Sequence, residues 1–492
     1  MTLPLALPTI HYLAIAPVLI LFAGSLTLLV LSALSRNKVS TTVATSVSSL
    51  AALAALAATF VQWSYVAHHG ATTTVAHAIV LDGFSVVATG AIAVALVMVT
   101  LVAHDWSQRE RVVGAEYQIL ALAASAGAVL MTQANDLIVI FLGLEILSIG
   151  LYVLVAFDRQ RSKSAEAALK YFLLGGFASA IFVYGAALVY GATGSTNLTS
   201  ISFFLGSNVL LRPGLLYAGG ALLLVGFAFK VAAVPFHFWS PDVYEGAPTP
   251  VTGFMASIVK VGAFAALVRV LISSLGTQLD TWRPILWVMV VLTTLLGASL
   301  ALVQRNVKRM LAYSSINHAG FIVLGIWAGT ARGTAATLFY VMTYAPVVVA
   351  TFAIVTVVGG RGDADHEIDH YRGLARRQPW LGGMLAVLLL SQLGAPLTTG
   401  FYAKFAVLAS AVDAGAGLLA LLALLAAAVA AFFYLRWVIT LYADDEPHSV
   451  AVKVPRVTGA VIVAGVAFTL FFGVWPGPLA SLAQHATILF TP

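Results

Sequence analysis

With 61 % hydrophobic and only 9 % charged residues across 492 positions, and a net charge of +6, the chain is too apolar for a water-soluble globular domain. It reads as an all-α polytopic membrane protein with no stretch left over for a soluble domain. The lack of cysteine excludes disulfides, iron–sulfur clusters and thiolate metal sites, so no redox chemistry is expected in this chain and no cofactor-binding or metal-binding residue is assigned.

About 20 apolar residues cross a bilayer core, and about fourteen such runs follow one another. They lie near 10–34, 42–66, 82–104, 117–133, 137–157, 167–191, 214–240, 250–274, 285–304, 311–328, 334–358, 380–411, 418–442 and 457–482. The first has no basic residue before it and "SRNK" after it, the pattern of a retained span with its N-terminus outside rather than of a cleaved signal. Loops after odd-numbered spans carry Arg36, Lys38, Arg109, Arg111, Arg159, Arg161, Lys163, Arg305, Lys308, Arg309, Arg361, Arg372, Arg376, Arg377, Lys453 and Arg456. Loops after even-numbered spans carry only Arg212, Arg283 and Arg332. The excess of lysine and arginine on one side places the odd loops in the cytoplasm and both termini outside.

Ionisable groups inside spans cost about 2.5–3.5 kcal/mol each unless they snorkel or find a partner. Glu145 in the fifth span is the carboxylate that stands well inside the membrane. Lys170, Lys230, Lys260 and Lys404 belong to the sixth, seventh, eighth and twelfth spans. Glu145 is expected to pair with Lys230 or Lys170, and Lys170 is also near enough to its helix end to snorkel. Inert structural ion pairs are the alternative for the deeper lysines. Arg269 and Arg436 lie near span ends and are expected to reach the headgroups. His318, in "YSSINHAGF" beside Ser314, Ser315 and Asn317, suits a proton relay or a hydrogen-bonded structural role. His237, in "PFHFW", is placed near the external mouth.

Two spans should be broken. Pro235 follows Lys230 by five residues and removes a backbone donor. The twelfth span would run about 48 Å if straight, too long for a core of about 30 Å, and "QLGAPLTTGFYAK" around Pro396 has the composition of an interruption. Similarity between "ILSIGLYVLV" and "SINHAGFIVLG", and between "ALKYF" and "TLFYV", maps spans five and six on ten and eleven. Five spans per copy is odd, so the second copy is expected to be inverted, with an ion path between the breaks. The expected units are 1–110 (three spans), 115–275 (spans four to eight), 282–443 (spans nine to thirteen) and 444–492 (the last span).

The segments "KVAAVPFHFWSPDVYEGAPTPVTGFMASIVKVGAFAAL", "LGLEILSIGLYVLVA", "NVKRMLAYSSINHAGF" and "DHYRGLARRQP" resemble the N-subunit family of bacterial respiratory complex I, the proton-pumping NADH:quinone oxidoreductase. The resemblance runs over about 80–445. It implies fourteen helices with discontinuous helices 7 and 12, a bacterial plasma-membrane location, and neighbouring antiporter-like and small membrane subunits as partners. Flavin, iron–sulfur clusters and quinone would belong to partner subunits. It also implies Glu145 and Lys230 as a coupled pair, Lys260 as the next carrier, His318 as a connector and Lys404 as the terminal site. Related M and L subunits and Mrp-type cation/proton antiporter subunits share "PFH.W.PD", so an Mrp-type subunit is the alternative; "PDVYEGAPTP" and a lysine at 404 favour the N family. Leu397 departs from the family pattern, which often has a second proline there, and that bears on how sharply the twelfth span breaks.

Overall fold

Hydrocarbon offers no water to the orphan amides at a helix start, so the chain supplies its own acceptors. Asp82 and Ser85 form a reciprocal capping box at the third span, Asp136 caps the fifth, Asn306 the tenth and Thr330 the eleventh. A computed structural model describes residues 10–36, 38–210, 213–364, 366–444 and 452–486. Arg212 and both termini, whose sidedness was read from sequence, lie outside the described residues.

The spans in chain order are Tyr12–Leu34, Thr41–His69, Gly83–Arg109, Glu116–Gln133, Leu137–Val155, Ser162–Thr193, Gly214–Val231 continued by Trp239–Gly246, Thr249–Ser274, Leu279–Leu302, Val307–Trp327, Ala331–Val358, Pro379–Leu393 continued by Thr399–Asp413, Gly417–Tyr442 and Arg456–Val474. Twelve helices among the described residues are long and apolar enough to cross alone; Glu116–Gln133 and the two-part twelfth span complete the expected set. Beyond them stand short helices at Leu198–Ser207 and Gly477–His485 and a hairpin of Thr72–Thr74 against Ile79–Leu81. The sequence reading had extended none of its elements into that hairpin, where a run of β-branched threonines pairs with "IVL".

Packing repeats in mirrored form. The fourth span lies on the fifth and eighth, and the ninth on the tenth and thirteenth; the sixth packs on the first half of the seventh, and the eleventh on the second half of the twelfth. Close approach is made by paired glycines: a Cβ on Gly127 would stand 2.6 Å from the Gly143 carbonyl oxygen, and one on Gly185 2.9 Å from that of Gly219. Spans eight, ten and eleven are the most enclosed, with the eleventh buried from Gly333 to Val358, so they form the centre of the molecule.

Both breaks occur where expected, and a left-handed residue ends each first half. Ala232 (φ 58°) closes Gly214–Val231 and Gly394 (φ 95°) closes Pro379–Leu393, each with its amide turned back onto the last carbonyls. Pro235 and Pro396 follow within the breaks and prevent the helix from resuming at once. Leu397 is also left-handed, at φ 66°. A proline, held near −65°, cannot adopt that backbone, so the departure from the family pattern leaves the break intact. The eighth span contains two π-helical turns, Met255–Val259 and Arg269–Ser274. The first ends immediately before Lys260 and so re-aims it relative to a regular helix.

Candidate functional site

Lys230 sits in the last turn of the first half of span seven and is 3 % exposed. Its ammonium donates to Ser148 Oγ at 2.8 Å and to Tyr171 OH at 3.1 Å, and lies 5.4 Å from the Tyr171 ring centroid. Tyr171 stacks on Trp239 at the start of the second half, with centroids 4.7 Å apart. A small cavity with room for roughly one water adjoins Lys230, lined by Ser148, Tyr152, Gly175 and Ser179.

Further along the molecule, Lys260 donates to the Ser315 carbonyl oxygen, and the Ser315 hydroxyl lies 3.4 Å from Tyr244 OH. His318 is 2 % exposed; its Nδ1 is 2.7 Å from Tyr340 OH and its Nε2 3.1 Å from Tyr434 OH, which in turn meets Ser314 Oγ. Hydroxyls and imidazole can each donate and accept, so this cluster can pass a proton without a net displacement of heavy atoms. A second small cavity reaches from His318 past Ser391 and Gln392 to Thr399 and Gly400 at the start of the second half of span twelve.

Lys404 follows its break, whereas Lys230 precedes its own, yet the two ammonium groups occupy corresponding positions. Lys404 reaches back 2.6 Å to the Leu393 carbonyl oxygen, the end of the first half-helix, and lies 5.1 Å from the Phe321 centroid. Each lysine thus stands at the C-terminal, negative end of a half-helix dipole. Sequence separation from the proline had hidden that equivalence.

Several expected contacts are placed differently. No ion pair joins Glu145 to Lys230 or Lys170 among the described residues. Glu145 Oε1 is buried without a hydrogen-bond partner. Lys170 instead bridges Asp242 and Glu166, both at 2.8 Å, on another face of span six from its neighbour Tyr171, which reaches Lys230. His237 stands within the seventh-span break between Val231 and Trp239, 6 % exposed. It is therefore not at the outer mouth: the half-helix beyond it, with Asp242 and Glu245, joins Lys163, Lys170 and Arg309 on the basic side.

Arg269 does not snorkel. It is 2 % exposed, forks onto both oxygens of Asp82 at 2.7 and 3.1 Å, and donates to the Thr132 carbonyl at 2.6 Å. The sequence reading set Asp82 at a span end and so missed that the capping carboxylate turns inward. Arg436 does lie at an exposed span end, donating to the Leu302 and Gln304 carbonyls at 2.6 and 2.7 Å. Arg269→Met is accordingly expected to destabilise the chain by about 3–5 kcal/mol, since it strands a buried carboxylate, and Arg436→Met by much less; thermal unfolding in detergent or nanodiscs compares them.

Sequence reasoning also passed over the tyrosines. Tyr171, Tyr340 and Tyr434 bond Lys230 or His318, and Tyr244 meets the Ser315 hydroxyl near Lys260, but an intramembrane tyrosine in a sequence looks the same whether it faces lipid, headgroups or the interior. At the basic side, Asp363 gathers Arg161, Lys308, Thr249 and His366 from four loops or helix starts. Burial raises its carboxyl pKa, but the Lys308 charge and the His366 and Thr249 bonds outweigh that and hold it well below the ordinary range.

Comparison with known proteins supplies the family. Residues 134–430 match the family described as NADH:quinone oxidoreductase/Mrp antiporter, TM. The chain is 44 % identical over 379 residues to NADH-quinone oxidoreductase subunit N of Mycobacterium tuberculosis, covering 75 % of this chain and 71 % of that protein. A chain of respiratory complex I from Thermus thermophilus with bound aureothin superposes with a TM-score of 0.81 at 34 % identity, over 95 % of this chain and 99 % of that one. A chain of the Mrp complex from Dietzia sp. shares the fold, with a TM-score of 0.84 at 21 % identity over 96 % of this chain and 97 % of that one. The chain belongs to the subunit N family of NADH-quinone oxidoreductase, among the antiporter-like membrane subunits.

Proposed function

We propose that this chain translocates protons from the cytoplasm to the outside as a membrane-arm subunit of a proton-pumping NADH:quinone oxidoreductase in the bacterial plasma membrane, driven by quinone reduction in partner subunits. Flavin, iron–sulfur clusters and quinone belong to those partners, and neighbouring antiporter-like and small membrane subunits flank the chain. Its working units are the three-span segment 1–110, the repeats 115–275 and 282–443, and the final segment 444–492.

One contrast carries the reading. Two of the buried cations are matched with a carboxylate, Arg269 with Asp82 and Lys308 with Asp363. Lys230, Lys260 and Lys404 are as buried, but among the described residues they have only hydroxyl and carbonyl partners. Such lysines can exchange a proton without breaking an ion pair. A proton enters through spans five to eight, reaches Lys230, passes by water and Lys260 to the His318 cluster, and leaves through Lys404. Glu145 modulates Lys230 as a nearby charge, with Lys170 and the Asp242 cluster at the entrance.

Two measurements test this. A tagged chain is expected to copurify with flavin and iron–sulfur proteins; recovery with other membrane chains alone would favour an Mrp-type antiporter instead. Glu145→Gln, which removes the charge with little change in shape, is expected to lower NADH-driven pumping by the assembled complex, measured as quenching of a pH dye in proteoliposomes. Unchanged pumping would remove Glu145 from the mechanism.

A further inference from the structure

A groove of about 960 Å³ opens on the flank between spans one, four, five and six, at the upper end of the roughly 300–1,000 Å³ range of ligand sites. Its floor is apolar and includes Leu29, Leu120, Val153 and Phe172. Lys38 and Arg159 stand at its rim, both exposed. Glu116 is also at the rim, and its carboxylate folds back over Gly114 of its own loop. The Lys38 loop also carries Arg36, and the loop that leads into Glu116 carries Arg111.

The depth of the groove narrows its occupant. It is lined by the end of span one, the start of span four, the end of span five and the start of span six, so it occupies one leaflet on the basic side. A crossing helix about 10 Å wide and 30 Å long displaces roughly 2,400 Å³, more than the groove holds. One-leaflet depth, an apolar floor and cations at headgroup height match a phospholipid. An arginine fork and a lysine ammonium suit a phosphate diester.

We propose that this groove is a binding site for an anionic phospholipid, with its phosphate between Lys38 and Arg159 and its tails along spans four to six. Tyr152 lines both this groove and the Lys230 cavity and meets Tyr171 edge-on with centroids 4.9 Å apart. A tail in the groove packs against the outer side of the wall that encloses Lys230.

The test uses the assembled complex in nanodiscs containing a photoactivatable phosphatidylglycerol or, separately, a photoactivatable phosphatidylcholine, with labelled peptides mapped by mass spectrometry. The phosphatidylglycerol probe is expected to label 112–120 and 152–172 about tenfold more than the phosphatidylcholine probe. The double variant Lys38→Ala/Arg159→Ala alters exposed side chains and is expected to assemble, lose that preference and keep labelling elsewhere. Equal labelling by the two probes, a preference that survives the double variant, or cross-links from this groove to a neighbouring subunit in place of lipid would each overturn the proposal. None of these readouts depends on proton pumping, so the lipid site and the proposed function can fail separately.

Discussion

Lys230→Met is expected to abolish or sharply reduce NADH-driven proton pumping by the assembled complex while leaving the subunit in place. Methionine is unbranched and of similar length, so it occupies the space beside Ser148, Gly175 and Phe229 without breaking a salt bridge. No carboxylate is salt-bridged to Lys230 among the described residues, so its removal orphans only hydroxyls, Ser148 Oγ and Tyr171 OH. Ser148 Oγ already donates to the Leu144 carbonyl at 2.5 Å, which limits the penalty. Stability should therefore change little, and the effect should fall on transfer.

A positioned proton-transfer group is worth about 10²–10⁴-fold in rate, so the step through this chain should slow by about two orders of magnitude or more. Dye quenching in proteoliposomes, normalised to NADH oxidation and to the amount of assembled complex, reads the loss. Tyr171→Phe is the useful companion. It keeps the ring that stacks on Trp239 and removes one of the two acceptors, so an intermediate effect is expected. Full pumping in Lys230→Met would leave the buried lysines as inert features of the fold.

Much of this architecture is legible in the sequence because the bilayer imposes a length and a polarity on each span. The buried lysines, His318 and the two interruptions are visible as violations of that polarity. What stays hidden is lateral position. Arg269 and Arg436 both lie near span ends, but only the packing of spans three, four and eight reveals that Arg269 meets Asp82 and Thr132. The Glu145–Lys230 pairing was inferred from the scarcity of intramembrane acids, whereas hydroxyls from Ser148 and Tyr171 fill the lysine's shell. Hydroxyls carry no hydropathy signal strong enough to mark them. His237 was set at the outer mouth although it follows Lys230 in a span that runs toward the basic side: beyond the break the chain continues as Trp239–Gly246 to Lys163 and Arg309.

Asp363→Ala is expected to cost the assembled protein about 3–5 kcal/mol, the range for removing one partner of a buried ion pair. Asp363 is 2 % exposed and sits in the loop after span eleven. It accepts from Lys308 at 3.0 Å, Arg161 at 3.1 Å, Thr249 at 2.6 Å and His366 at 3.0 Å. Arg161 and Thr249 come from the first repeat and Lys308 from the second, so one carboxylate clasps the two copies at their basic side. Lys308 is also buried and donates to the Ala247 carbonyl at 2.5 Å, which is too little to hold its charge alone. Asp363→Asn keeps the shape and one acceptor oxygen, and so should be intermediate. The pH dependence has a defined sign. Because the folded-state pKa is well below the ordinary value of 3.8, the Asp363 contribution is fully present above about pH 4 and is lost as pH falls through the lower folded value. His366 works in the same direction at milder pH: burial holds its pKa below 6.5 despite the Asp363 bond, so acidification below about pH 6.5 favours the unfolded chain, where the imidazole protonates freely. Heating the complex at pH 7.5 and pH 5.5 and following the fraction of this chain that stays assembled measures the His366 effect, and comparing the parent with Asp363→Ala at pH 7.5 measures the cost of losing Asp363. The pH-sensitive loss should shrink in His366→Gln, and an Asp363→Ala complex as heat-resistant as the parent would show that the repeats are held together elsewhere.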